Sequence, residues 1–309
     1  MPSVTSLAGV AQSPYVRAYT FVDDHPKAVP AAQVASSRDR ILTDAVGNAS
    51  KVMTYLHDTF GRDGYDNKGG KLDVVVHVPE PDDMLSGVDV TGARHAPPVI
   101  AAHGAPKVGS GIPMNNAYWD TQTRKIYVGD GDGEMFAPLG GSLDILAHET
   151  GHAVLNSEVK MQFEGQQGAL HESFGDVLGS LVDDRNWQIG EDTFTPGVPG
   201  DALRDLSKPQ VFTNMSQVKP SDVEPHDLAD IPNLVAYRVA EKIGRQEMGQ
   251  VWYHGFTDRM VDHARFADAA AATIDAARLI YGASSSQVAA VDDAWKSVGV
   301  IPGTRLRPA

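Results

Sequence analysis

The chain has 309 residues, enough for two regions of ordinary domain size, each with its own core. Its 42% hydrophobic and 21% charged residues are those of a soluble globular protein, and no apolar run reaches the length of a membrane span, so no membrane insertion is expected. A net charge of -14 excludes a nucleic-acid partner that needs clustered Lys and Arg, and with no cysteine any metal must be held by His, Asp or Glu.

Residues 1–40 read as irregular with short strands, residues 16–22 among them, and the first nine residues lack the charged-then-apolar layout of a signal peptide. From Thr43 the period changes. Val46, Ala49, Val52, Met53, Leu56 and Phe60 recur at helical spacing, and Gly61 closes the run. Asn67-Lys68-Gly69-Gly70 makes a turn into a strand over 71–78, centred on Val74-Val75-Val76. Residues 79–113 shift to Pro, Gly and Ala and read as a long surface loop, with His95 and His103 in structural or solvent-exposed roles. Residues 115–119 and 125–128 follow as edge strands. The run Gly129-Asp130-Gly131-Asp132-Gly133 is a tight turn, too short for a helix-loop-helix calcium loop.

Residues 142–155 predict a helix with Ser142 as N-cap, Asp144 in the first turn, and Leu143, Ile145, Leu146, Val154 and Leu155 as buried positions. It carries His148-Glu149-Thr150-Gly151-His152. Histidines four apart lie one turn above each other on one face, so both imidazoles can reach one metal ion. Glu149 can point past that metal toward a water, where it can take and return a proton. This is the His-Glu-x-x-His signature of zinc hydrolases. Gly151 weakens the helix, and a purely structural helix gains nothing from it.

A second helix, 168–182, carries Leu170, Phe174, Val177, Leu178 and Leu181 on one side and Glu172 and Asp176 one turn apart on another, with Gly175 and Gly179 allowing close approach to a neighbour. Further helices are predicted at 231–243, 246–261, 267–281 and 285–298. The chain therefore divides into 1–156, mixed and strand-bearing, ending in the metal helix, and 157–309, all helical, with a cleft between them. Two histidines leave zinc short of one protein ligand and one open position. On spacing alone Glu158, Glu164, Glu172 and Asp176 can all supply the third. Glu172 is preferred because it lies on a helix, and Asp176 beside it can orient a ligand imidazole.

Over most of its length the chain resembles the thermolysin family of zinc metallopeptidases. The resemblance rests on Asn115-Asn116-Ala117-Tyr118-Trp119, Tyr127 to Gly133, His148 to Val154, Gly168-Ala169-Leu170-His171-Glu172-Ser173-Phe174-Gly175-Asp176, Trp187 to Asp192, Thr195-Pro196-Gly197, Gly200 to Arg204 and Ile231-Pro232-Asn233. It implies an α+β, two-lobed fold with the zinc helix at the junction, one catalytic Zn2+, and endopeptidase action on peptides or proteins by a secreted monomer. Position by position it implies His148, His152 and Glu172 as zinc ligands, Glu149 as general base and acid, Asp176 as the carboxylate holding His148, and His226 as the oxyanion's partner. Asn116, the Ala117 carbonyl and Arg204 match groups that hold the substrate backbone. Leu139, Ile145, Ile189 and Leu203 match the lining of an apolar pocket for the residue after the scissile bond.

The chain departs from the family pattern in four places. Phe163 stands where a tyrosine is usual as a second oxyanion donor. Leu228-Ala229-Asp230 replaces the usual Asn-Ser-Gly after His226, and Asp222 is the candidate to orient that histidine. Asp144, Asp183 and Glu191 match acidic ligands of a calcium site, but Asn186 and Gln188 stand where carboxylates are usual, so at most one structural Ca2+ is expected. The loop 79–113 is longer than the family's. An alternative reading is a catalytically weak zinc protein that uses the cleft to bind a peptide or partner.

Overall fold

The computed structural model describes residues 13–80, 113–222 and 224–300. Most of the 79–113 loop, including His95 and His103, lies outside the described residues, as do the first 12. In chain order the elements are β1 (Val16–Val22), β2 (His25–Val29), α1 (Ala31–Ala35), α2 (Arg40–Phe60), β3 (Leu72–Val78), β4 (Ala117–Asp120), β5 (Lys125–Gly129) and α3 (Leu143–Glu158). They continue with α4 (Gly165–Val182), β6 (Gln188–Ile189), β7 (Arg204–Asp205), α5 (Pro225–Ile243), α6 (Arg245–His254), α7 (Phe266–Tyr281) and α8 (Ser286–Ser297). The fold is α+β, a mixed sheet followed by helices. Among the described residues no helix is long and apolar enough to cross a membrane.

The sheet order is β2-β1-β3-β5-β4, with β1, β3 and β5 parallel and β2 and β4 antiparallel to their neighbours. Only one of the two strands read as edges is one. β4 closes the sheet, whereas β5 is interior, and Ile126, Tyr127 and Val128 are all fully buried. Both sheet faces are covered: Val74, Val76, Ile126 and Val128 join the main core, while Val75, Val78, Tyr118 and Tyr127 pack with Phe21 and Met114 on the other side. A parallel strand buried on both faces reads as a continuous apolar run, which is why the β3 sequence does not alternate.

α2 starts a turn before the predicted residue, where Asp39 accepts the Leu42 N–H at 3.2 Å. It ends at Gly61, whose φ of 68° lets the chain turn off in the left-handed region. α5 begins at Pro225 rather than Ile231, because proline is suited to a first helical turn and its polar continuation carries no apolar period to read. The predicted 246–261 helix stops at His254 and passes through a wide turn over Gly255–Arg259. The second half is not wholly helical: β6 and β7 pair Ile189 with Arg204, a ribbon too short to show a period. Ser142 precedes α3 but does not cap it with its side chain. Its hydroxyl donates to Asp144 Oδ1 instead.

One buried apolar cluster runs from the sheet through α2 and α3 into α4, α5 and α7, in place of a separate core for each half. α3 crosses its middle, so every residue from Asp144 to Leu155 is buried.

A charged tie fastens the sheet to its surroundings. His77, at a bulge in β3 with φ of 60°, sits between Asp39 Oδ2 at 2.8 Å from Nε2 and Asp130 Oδ2 at 2.8 Å from Nδ1. Donating from both nitrogens requires the imidazolium. The bond to Asp130 pushes the His77 pKa up to about 9, against the lowering effect of partial burial. The tie is therefore fully present below the free histidine value of about 6.5 and is lost as pH rises through about 9. Denaturant unfolding of wild type and His77→Gln should show a stability gap that is constant below the free value and closes over that window. An equal gap at all pH values would rule out the charged tie.

Candidate active site

The site is built where α3 and α4 touch. A Cβ at Gly151 would lie 2.8 Å from Gly175 Cα, and one at Gly175 would lie 2.7 Å from His148 Nδ1. Only hydrogen fits at either position, and this close approach faces Glu172 toward the two histidines one helix away.

His148 Nε2 lies 3.3 Å from Glu172 Oε2, and His152 Nε2 lies 3.7 Å from Glu172 Oε1. Among the described residues this is the one group of His, Asp or Glu with three ligand atoms within 4.8 Å of one another. Ligands placed tetrahedrally around zinc at about 2.0–2.1 Å lie about 3.3–3.4 Å apart, so the set fits that ion. Glu172 Oε2 is buried without a hydrogen-bond partner, as expected of an atom kept for a metal.

Asp176, fully buried on α4, accepts from His148 Nδ1 at 2.8 Å, from Arg204 Nε at 2.9 Å and Nη2 at 2.7 Å, and from Asn233 Nδ2 at 2.9 Å. Burial alone would raise its pKa, but Arg204 and His148 hold it well below the usual carboxylate range. The carboxylate thus orients His148 and is itself locked from β7 and α5. Burial would likewise lower His148, yet its bonds to Asp176 and Glu172 keep it near 10 without a metal, so a metal ion entering there must displace a proton. His152 is pushed far down by burial, and its Nδ1 has no partner. The polar ring beside it is His171, 5.7 Å away between centroids, neutral and buried with neither nitrogen paired. Phe163 packs on this pair, 4.3 Å from His171 and 5.6 Å from His152.

Glu149 Oε2 accepts the Trp119 N–H of β4 at 2.9 Å, and burial pushes its pKa up to about 7. His226 lies in the first turn of α5, and its Nε2 is 3.1 Å from Glu172 Oε2 without hydrogen-bond alignment. Its Nδ1 is held at 2.8 Å by Glu224, two residues before it, not by Asp222, which instead accepts from Lys219 N. Sequence reasoning missed Glu224 because the start of α5 was not legible. Burial would lower His226, but the Glu172 charge and the Glu224 bond raise it to about 9.

These groups open onto a cleft of about 360 Å³. Its lining includes Asn116, Ala117, Leu139, Ile145, His148, Glu149, Ile189, Leu203, Arg204 and His226. Among those expected to hold the substrate backbone, Asn116 Oδ1 already takes the Ala117 N–H at 2.9 Å, and the Arg204 guanidinium is bound to Asp176. Phe136 and Phe194, 5.4 Å apart, complete the apolar end and were not anticipated, since 136 and 194 meet only through an isolated bridge. The acids Asp144, Asp183 and Glu191 lie behind this wall and do not converge on one point as the zinc set does.

A buried His-His-Glu set with an adjacent fixed carboxylate, lining a cleft between a mixed sheet and a helical region, forms a candidate metal centre. Two family profiles match the chain: the thermolysin metallopeptidase catalytic domain over residues 21–156 and the thermolysin metallopeptidase alpha-helical domain over 159–300. The chain belongs to the thermolysin family. It is 36% identical to bacillolysin of Bacillus amyloliquefaciens over 278 residues, 87% of this chain and 46% of that protein. It is also 36% identical to neutral protease NprE of Bacillus pumilus over 275 residues, 86% of this chain and 79% of that one. The chain thus spans about half the length of the first of these relatives. The precursor of protealysin, a metalloproteinase from Serratia proteamaculans, has a similar fold, with a TM-score of 0.74 at 24% identity over 96% of this chain and 90% of that one.

The contact between the helices yields a prediction. Gly175→Ala forces a methyl into the His148 ring and should weaken zinc binding by about tenfold or more, read by competition with a chromophoric chelator. Unchanged affinity would mean that His148 has another way to reach the metal.

Proposed function

We propose that the chain is a zinc-dependent endopeptidase that cuts before hydrophobic residues. The observation that carries this reading is the convergence of His148, His152 and Glu172 beside Glu149, whose carboxylate is fixed by the Trp119 N–H. Relatives named neutral protease and extracellular elastase support a peptide or protein substrate. Zinc held by the three ligands would supply Lewis-acid polarisation of a water and of the scissile carbonyl.

The chain's own groups do the rest. Glu149, with a pKa of about 7, takes a proton from the attacking water and returns it to the departing amine nitrogen. His226, oriented by Glu224, donates from Nε2 to the oxygen on which charge develops. Asn116, the Ala117 carbonyl and Arg204 align the substrate backbone along β4. Leu139, Ile145, Ile189 and Leu203, extended by Phe136 and Phe194, receive an apolar side chain after the scissile bond. A monomer divided at residues 156 and 157 belongs to the same reading. Phe163 brings no hydroxyl to the oxyanion, so among the described residues His226 is the side-chain donor assigned to it, and this feature is what a catalytically weak peptide binder would share.

Cleavage of an internally quenched peptide with Leu after the cut decides between these readings. Activity should be abolished by a zinc chelator, restored by zinc, and lowered about 10²–10⁴-fold in Glu149→Gln with zinc retained. Glu172→Gln should lose the zinc itself. No cleavage by zinc-loaded protein, or near-normal turnover by Glu149→Gln, would overturn the assignment. The base must be ionised and the donor protonated, so kcat/KM should follow a bell-shaped pH profile, rising as Glu149 ionises and falling as His226 loses its proton. Substituting His226 by Gln should remove the alkaline limb and leave the acid limb.

A further inference from the structure

The resemblance leads to a calcium site behind the cleft wall, and the residues present do not fit one. Calcium takes six to eight oxygen ligands. Both Asp183 oxygens are instead bound by one guanidinium, with Arg185 Nε 2.7 Å from Oδ1 and Nη2 2.6 Å from Oδ2. The same group holds Asp192, with Nη2 2.6 Å from Oδ2, and stands 3.6 Å from Glu191 Oε1. Glu191 Oε1 also accepts from Asn186 Nδ2 at 2.6 Å.

The carbonyls nearby are taken too. Arg245 of α6 lies 3.8 Å over the Trp187 ring and donates to Asn186 O at 2.7 Å and Ser180 O at 2.6 Å. Asp144 gives Oδ2 to the Gly190 N–H at 2.6 Å and Oδ1 to Ile145 N at 2.7 Å. Glu191 Oε2 is the buried oxygen left without a partner. One free oxygen is far short of the six to eight that calcium takes.

We propose that this corner holds together without calcium, with Arg185 as the fixed cation that ties the end of α4 to the ribbon forming the apolar end of the cleft. The tie has a place to act. Asp183 caps α4, Asp192 follows the β6 ribbon, and Ile189 between them faces the cleft. A bidentate guanidinium replaces the ion with a single charge of fixed geometry. Arg185 is 54% exposed, so its effect is modest and comes from the network of acids rather than from any one pair. The inference stands apart from the peptidase reading, because its test reads unfolding.

The protein is passed over a chelating resin, reloaded with one equivalent of zinc, and melted in millimolar calcium chloride or in magnesium chloride of equal ionic strength. The same Tm in both salts is expected. A Tm several degrees higher in calcium alone would reveal a calcium site and overturn the proposal. Arg185→Gln, melted in the same way without calcium, should unfold about 2–4 °C lower, with Arg185→Lys in between because it keeps the charge but not the fork. An unchanged Tm in Arg185→Gln would equally overturn it.

Discussion

The contact of α3 with α4 governs the rest of the molecule. Two helices can share one metal only if their backbones approach closely enough for side chains of ordinary length to meet at a point. Gly151 and Gly175 permit that approach, and the His148 ring occupies the space a Gly175 methyl would need. The stability given up by placing glycine inside two helices is recovered in packing, since α3 runs buried through the centre of the core. The same contact fixes where these groups stand. They project from helices held on all sides rather than from loops.

Burying this much polar chemistry requires that each group be answered. Asp176 is the hub: His148, Arg204 and Asn233 all donate to it, so one carboxylate joins α3, α4, β7 and α5. Glu149 is answered by a strand N–H and His226 by Glu224. Glu172 Oε2 and His226 Nε2 are among the buried atoms without a partner, where a metal or substrate would meet them. His152 differs from its partner histidine. Its Nδ1 has no partner, and besides His148 the polar ring packed near it is the neutral His171, so the two imidazoles sit in environments of very different charge.

Around this centre the chain keeps the family's arrangement while changing its supports. An arginine network lies where acidic residues alone would call for a divalent ion, and a phenylalanine stacked on His171 takes a tyrosine's place. The arginine network lies away from the His-His-Glu set, whereas Phe163 packs directly on the His152 ring. The ligand set and the carboxylate next to it can persist while the surrounding shell is rebuilt, because each layer is fixed by its own contacts.

Much of the site was legible in the chain itself. Helical periodicity placed His148 and His152 on one face with Glu149 beside them, because ligand spacing within a helix is a local property, while spacing left four acids open for the third ligand and the family resemblance singled out Glu172, with Asp176 behind His148. The α2 and β3 elements were legible for the same reason. What depends on contacts distant in sequence was not. The interior position of β5, the pairing of β6 with β7, the meeting of Phe136 with Phe194 and the single core joining both halves are set by tertiary packing, to which short segments carry no periodic signal. Glu224 and Arg185 make the point most sharply. Each stands two residues from the group it holds, His226 and Asp183, yet only the folded backbone decides that these side chains turn toward each other rather than toward water.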